Sequence, residues 1–291
     1  MAKVIGIDLG GTKISGILMD EKFNILKKEV RPTEPEKGKA KVIENIVAVI
    51  DVLKDQEVSV AGIAMPGHEL PDGRVHPGPN IPALFNARLR RELEKKTKLK
   101  TTIANDANCF ALAEQKNGAA KGCKNVVGVI IGTGVGGGII IDGKLYVGSS
   151  GGAGEIGHSY LCSDGEADDR KPIDIENLIS GTAFLKKYNV LSGKNLVSLK
   201  DADTKENAYK KAYESFVFYT GVFFANLVNI FDPERIVVGG GVSNIDFYKD
   251  VGKITKKYSL PDRMGVCKIV KNRLGDDSGV IGAAMLALGL N

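Results

Sequence analysis

At 291 residues, with 43% hydrophobic residues, 26% charged residues and a formal net charge of +5, the chain has the make-up of a globular protein with material for two lobes and an ample core. The positive charge is spread along the sequence without a basic arm or interleaved aromatics, which argues against nucleic acid as a partner. No apolar run approaches the roughly 20 residues of a membrane span, the first strand leaves no room for a signal peptide, and the four cysteines (Cys109, Cys123, Cys162, Cys267) lack paired spacing; the expectation is a cytoplasmic protein with reduced thiols and no membrane partner.

The chain opens on a glycine-rich hairpin. Val4 to Leu9 reads as an apolar strand, Gly10-Gly11-Thr12-Lys13 as its turn, and Ile14 to Asp20 as a second strand. Val42, Ile43, Ile46, Val47, Ile50 and Leu53 then fall at helical spacing. Val58 to Met65 reads as a strand ending at Pro66-Gly67, Ala87 to Lys96 as an amphipathic helix, and Thr101 to Ala104 as a short strand. The basic stretch from Arg88 to Lys100 reads as a solvated helix face. A further helix starts at Asp106 and carries Ala107, Phe110, Ala111 and Ala113.

At Val126 the opening hairpin is repeated. Laid over the first copy, the segment from Val126 to Asp142 brings Gly6/Gly128, Gly10/Gly132, Gly16/Gly138, Ile17/Ile139 and Asp20/Asp142 into coincidence. Gly132-Thr133-Gly134 is the second turn. Glycine admits the tight turn and lets backbone N–H groups approach an anion, so the pair reads as a clamp for the phosphates of ATP. A dinucleotide fingerprint is excluded, because that motif runs from strand to helix. Here Gly138 to Asp142 is a second strand closed by Asp142-Gly143. A pair of ordinary hairpins is the competing interpretation; the duplication and Asp8 beside the first turn weigh against it.

The remainder of the second half reads as a long helix over 205–231, a strand over 235–238, a helix around 246–258, a strand over 266–270 and a final helix over 279–288. Two α/β halves that begin with the same hairpin predict a bilobal fold with a cleft. The boundary is expected near Asn105–Ala107, giving lobes over 1–105, joined by the final helix 276–291, and 106–275.

Phosphoryl transfer needs a base near the acceptor hydroxyl and a positioned Mg-ATP. Asp106, in Asn105-Asp106-Ala107-Asn108, is the candidate base, although Asp106 or Asn105 would also serve as a helix cap. Asp8 follows an apolar strand and is costly to bury unpaired, which suits the orientation of hydrated Mg²⁺.

Asp8-Leu9-Gly10-Gly11-Thr12-Lys13, Asn105-Asp106-Ala107-Asn108, Gly132 to Gly138 and Gly154-Glu155-Ile156-Gly157-His158 resemble, in this order and over nearly the whole chain, the ROK family of repressors, uncharacterised frames and sugar kinases. Val237 to Val242, with Gly239 and Gly240, is similar to that family's adenosine-side segment. The resemblance implies an actin/hexokinase-like ATPase fold and ATP-dependent phosphorylation of a hexose at O6. It implies Asp106 as the base, and Asn105, Glu155 and His158 as holders of the ring hydroxyls. Glu176 matches another sugar ligand and Asn80 a weaker one. The compact form is similar to N-acetylmannosamine kinases and short glucokinases, and N-acetylmannosamine is the expected acceptor. A homodimer is also implied.

One departure affects metal binding. Many family members carry three zinc-binding cysteines after this histidine, whereas Cys162 is alone in the interval to Asp174. No zinc is therefore expected. His158 needs another partner, for which the acidic run Glu166–Asp169 is a candidate. A sugar-responsive repressor would require a helix-turn-helix ahead of the first hairpin, and Met1–Lys3 cannot hold one. A non-catalytic sugar sensor is the remaining alternative, disfavoured by Asp106 together with both hairpins.

Overall fold

A computed structural model of the chain describes residues 3–161, 172–262 and 266–290. It falls into two units: residues 1–122, 138–154 and 274–291 form the first, and residues 123–137 and 155–273 the second.

The first unit begins with the expected hairpin, β1 (Lys3–Leu9) and β2 (Lys13–Asp20), and continues into β3 (Ile25–Pro32). Helix α1 (Lys39–Leu53) leads to β4 (Val58–Met65), a small hairpin of β5 (Gly67–Glu69) and β6 (Val75–Pro77), helix α2 (Leu89–Thr97), β7 (Lys100–Asn105) and helix α3 (Asp106–Asn117). The sheet order is β3-β2-β1-β4-β7. β1 is antiparallel to β2 and parallel to β4, and β4 is parallel to β7. Val4, Ile5, Ile7 and Leu9 are fully buried, which requires cover on both faces of the sheet. One layer is α1, which buries Val42, Ile43, Ile46, Val49, Ile50 and Leu53. The other is α8 (Ser278–Ala287). It docks where Gly6 and Gly62 leave the strands bare: a methyl group on either would run into the backbone carbonyl of Val280 or Ala283. β3 was not expected, because its Lys27, Lys28 and Val30 are exposed on a sheet edge and give no alternation.

The second sheet runs β10-β9-β8-β13-β14. Its strands are β8 (Val126–Ile131), β9 (Val135–Ile141), β10 (Lys144–Tyr146), β13 (Arg235–Gly239) and β14 (Lys268–Lys271), and β13 is parallel to β8 and β14. In the second unit a two-stranded ladder, β11 (Tyr160–Leu161) with β12 (Ile173–Asp174), precedes the helices α4 (Glu176–Ile179), α5 (Gly181–Ser192), α6 (Asn207–Phe231) and α7 (Tyr248–Tyr258). The core here is aromatic: Phe216 of α6 stacks on Phe184 of α5 at 5.3 Å and meets Phe247 edge-on at 5.4 Å. Against expectation, one described segment, α6, is long and apolar enough to cross a membrane, but half of its apolar window is buried in this unit. Phe216, Phe223, Phe224, Leu227 and Val228 of α6 lie in that core.

Candidate functional site

The expected residues of the first unit gather at the carboxyl ends of its parallel strands, where open α/β sheets offer their ligand sites. Asp8 is the penultimate residue of β1 and is partly buried. In the β1–β2 turn the Gly10 N–H donates to the Lys13 carbonyl at 3.0 Å. Thr33 pins the turn from behind: its hydroxyl donates to the Gly10 carbonyl at 2.6 Å and its N–H to the Thr12 carbonyl at 3.0 Å. Thr12 and Lys13 themselves are exposed. Asn80 lies against this turn, so that a methyl group on Gly11 would come within 2.8 Å of its Cβ.

At the end of β7 the residue that caps α3 is Asn105. Its Oδ1 accepts from the N–H groups of Ala107 and Asn108 at 2.8 and 3.2 Å. Asp106, one position later, is in the first turn, and its Oδ1 accepts from Ala107 N–H at 2.9 Å. The capping task therefore falls to Asn105. Asp8 registers the charge of Asp106: burial first, and then repulsion from that carboxylate, push the Asp8 pKa up to about 6, with Lys13 opposing. The first turn of α8 stands beside it, since a methyl group on Gly279 would lie 3.3 Å from Asp8 Oδ2.

In the second unit the Gly132–Gly134 turn is held by backbone and side chains together. Gly132 N–H donates to the Gly134 carbonyl at 2.9 Å, and Gly181 N–H to the Gly132 carbonyl at 2.8 Å. The Thr182 hydroxyl donates to the Thr133 carbonyl at 2.8 Å, and Val135 N–H to Glu176 Oε2 at 2.8 Å. Glu176 is thus tied to the phosphate-type turn, a link the sequence did not reveal. Gly239 closes β13 and Gly240 follows with φ of 81° against the Ile131 carbonyl.

Sequence reasoning also missed Asp174. His158 ends a short 3₁₀ turn that begins after Glu155, and its Nδ1 is 3.0 Å from Asp174 Oδ2. The other oxygen of Asp174 accepts from Glu176 N–H at 2.7 Å. One carboxylate therefore orients the histidine ring and fixes the backbone of Glu176. The hydrogen bond from Asp174 holds the His158 pKa above the ordinary imidazole value. The polar residue in the apolar alternation Ile173-Asp174-Ile175 was the available signal. The candidate orienting run Glu166–Asp169, and Cys162 on which the zinc expectation turned, lie outside the described residues.

A cavity of about 1030 Å³ opens beside this turn, within the second unit. Gly132 and Thr133 line it together with Gly241, Val242, Leu199 and Tyr209. Its dimensions suit a nucleoside, with the glycine turn where phosphates would follow. Gly241 and Val242, immediately after the expected Gly239 and Gly240, supply the wall.

Among the described residues no group of three or more histidine, cysteine, aspartate or glutamate side chains has the spacing of a metal cluster. The Asp8–Asp106 pair nevertheless fits a hydrated Mg²⁺: Asp8 is a carboxylate disfavoured by burial and, secondarily, by the charge of Asp106, and a hard divalent cation with oxygen ligands would relieve both.

Known proteins resemble this chain over nearly its whole length. An N-acetyl-D-glucosamine kinase of Photobacterium profundum is 35% identical over 300 residues, covering 97% of this chain and 98% of that protein. A glucokinase of Thermotoga maritima is 32% identical over 307 residues, covering 98% and 96% respectively. Among solved structures, a ROK family glucokinase from Streptomyces griseus in complex with glucose and AMPPNP superposes with a TM-score of 0.81 at 27% identity, over 99% of this chain and all of that one. The fold is therefore the actin/hexokinase-like one that the duplicated hairpins and parallel sheets suggest. With the ROK family model matching residues 4–289, from the first strand to just past the last helix, the chain belongs to the ROK family.

Proposed function

We propose that the chain is an ATP-dependent sugar kinase that phosphorylates the 6-hydroxyl of a hexose or N-acyl hexosamine. The observation that carries this reading is the pair of carboxylates at the carboxyl ends of β1 and β7, Asp8 and Asp106: burial first, and then repulsion from Asp106, raise the Asp8 pKa to about 6. Asp106 accepts the proton of the acceptor hydroxyl, and its place in the first turn of α3, behind the Asn105 cap, fixes its direction. Asp8 would hold hydrated Mg²⁺, which would supply charge compensation for the transferred phosphoryl group. The exposed turn residues Thr12 and Lys13, with Gly10, Gly11 and the Gly132–Gly134 turn, receive the phosphates; the cavity beside Gly241 takes the nucleoside.

The sugar hydroxyls fall to Asn80, Asn105, Glu155, His158 and Glu176. With Nδ1 engaged by Asp174, His158 presents Nε2 to the sugar. Within the acceptor class, an N-acetylhexosamine is favoured by the 35% identical N-acetyl-D-glucosamine kinase. N-acetylglucosamine is therefore a candidate acceptor together with the N-acetylmannosamine expected from the sequence. Glucose is the second reading, on the strength of the 32% identical glucokinase.

The test is ADP release by the purified protein with Mg-ATP and N-acetylglucosamine, N-acetylmannosamine, N-acetylgalactosamine, glucose or mannose. The expected result is a kcat/KM for one N-acetylhexosamine at least ~10-fold above glucose, a factor worth about 1.4 kcal/mol. Replacement of Asp106 by Asn should lower kcat by about 10²–10⁴ with nucleotide binding retained. Full turnover in that variant would reject the base assignment. Nucleotide binding without turnover on any sugar would favour the sensor.

A further inference from the structure

A second cavity, of about 460 Å³, lies wholly within the first unit and has no part in the chemistry above. It opens at the amino end of α2, and Arg88, Arg90, Arg91, Glu69, Ser149 and Ser150 line it. Arg88 is the residue before the first turn, and no side chain caps the N–H groups of that turn. The end of a nine-residue helix with three arginines around it offers positive potential and free donors to an anion.

The floor of the cavity has a different chemistry. The Glu69 side chain is only 9% exposed, and its Oε2 is paired with Arg90. Its Oε1 is buried and has no hydrogen-bond partner among the described residues. A buried acceptor without a donor is costly, and a bound hydroxyl would satisfy it. Glu94, the other carboxylate of the lining, already accepts from Thr101 N–H at 3.0 Å. With Arg90 neutralised by Glu69, Arg88 and Arg91 remain, exposed and without an ion pair among the described residues. The hydroxyls of Ser149 and Ser150 supply neutral donors on the facing loop.

We propose that this cavity binds a hydroxylated phosphate monoester, a sugar phosphate, with its phosphate on Arg88, Arg91 and the first turn of α2 and a sugar hydroxyl donating to Glu69 Oε1. None of the lining residues is among those assigned to the acceptor sugar, and the proposal does not depend on the kinase reading. Inorganic phosphate shares half of this chemistry, and the Glu69 contact is what separates the two ligands.

The test is titration calorimetry with glucose 6-phosphate and, separately, inorganic phosphate, each repeated with saturating unphosphorylated sugar from the turnover panel. One equivalent of glucose 6-phosphate should bind whether or not the free sugar is present. The double variant Arg88→Ala/Arg91→Ala should weaken that binding at least ~10-fold and leave kcat and KM, measured at low product, unchanged. Glu69→Leu, which also leaves Arg90 unpaired, should weaken glucose 6-phosphate relative to inorganic phosphate, whose binding should become no weaker. Displacement by the free sugar, or binding indifferent to the arginine substitutions, would overturn the proposal. Equal affinity for inorganic phosphate would overturn the sugar part of it. Binding persists in this scheme even if no sugar is ever turned over, so the two readings fail separately.

Discussion

The two glycine hairpins share a backbone and differ in chemistry. Where the first has Asp8 and Lys13, the second has Ile130 and Val135. The first turn is braced from behind by Thr33 and leaves its charged residues exposed or beside Asp106. The second turn carries no charge of its own and draws one from Glu176, which accepts from Val135 N–H. Duplication conserved the turn geometry that admits an anion, while only one copy acquired the titratable groups. A phosphate-binding shape and a catalytic charge are thus separable properties of the same motif.

Removing the charge from the first hairpin tests that separation most severely. Asp8→Asn should lower kcat by about 10²–10³, the usual effect of deleting one preorganised electrostatic group, whereas Thr133→Ala in the neutral turn should cost far less. Steady-state kinetics on both variants gives the ratio, and comparable losses would erase the distinction. Stability should separate the copies too. Gly16 and Gly138 are equivalent positions, but a methyl group on Gly16 meets the side chains of Val49 and Leu53, and on Gly138 the backbone carbonyl of Ala107. Side chains can rotate away and a helix carbonyl cannot. Gly138→Ala should therefore cost more than Gly16→Ala, which belongs in the roughly 1–3 kcal/mol range of overpacking; urea denaturation of the two variants decides it.

The Asp8→Asn protein should also be the more stable one when Mg²⁺ is chelated. The folded state raises the Asp8 pKa from 3.8 to about 6. The native state therefore holds this proton more tightly than the unfolded chain does. Its contribution to stability is complete below pH ~4 and is lost as pH rises through 6. At pH 7 and above the neutral variant should gain about 2–3 kcal/mol, and at pH 4 the gain should nearly vanish. A thermal-melt series across that range would show no convergence if Asp8 were relaxed in the native protein. The smallest effect is expected at Asp174. Its replacement by Asn removes the charged partner of His158 Nδ1, so the imidazole should titrate at a lower pH, read from its proton resonances.

The duplicated hairpins were legible because glycine recurring at fixed offsets within apolar strands is the mark of a repeated tight turn. Helices α1, α3 and α6 were also legible, being long and either periodic or well bounded. β3 escaped because an edge strand of lysines and isolated apolar residues carries no period. The ambiguity between Asn105 and Asp106 as cap could not be resolved from residue types, since both cap well; a one-residue difference in where β7 stops decides it. Asp174 was invisible for another reason. Its role arises only when β12 brings it beside a turn 16 positions earlier in the chain.

Helix α8 has a consequence for how the protein is made. Its Ala283 and Ala284 fill the space over Gly6 and Gly62, so the sheet that begins at Lys3 lacks one face until residues beyond Leu274 arrive. On the ribosome, β1 and β4 emerge first and wait through the synthesis of the whole second unit, whose last strand, β14, ends at Lys271. The sheet that is synthesised first is completed last. For that interval its uncovered apolar strands are the part of the nascent chain most in need of a chaperone.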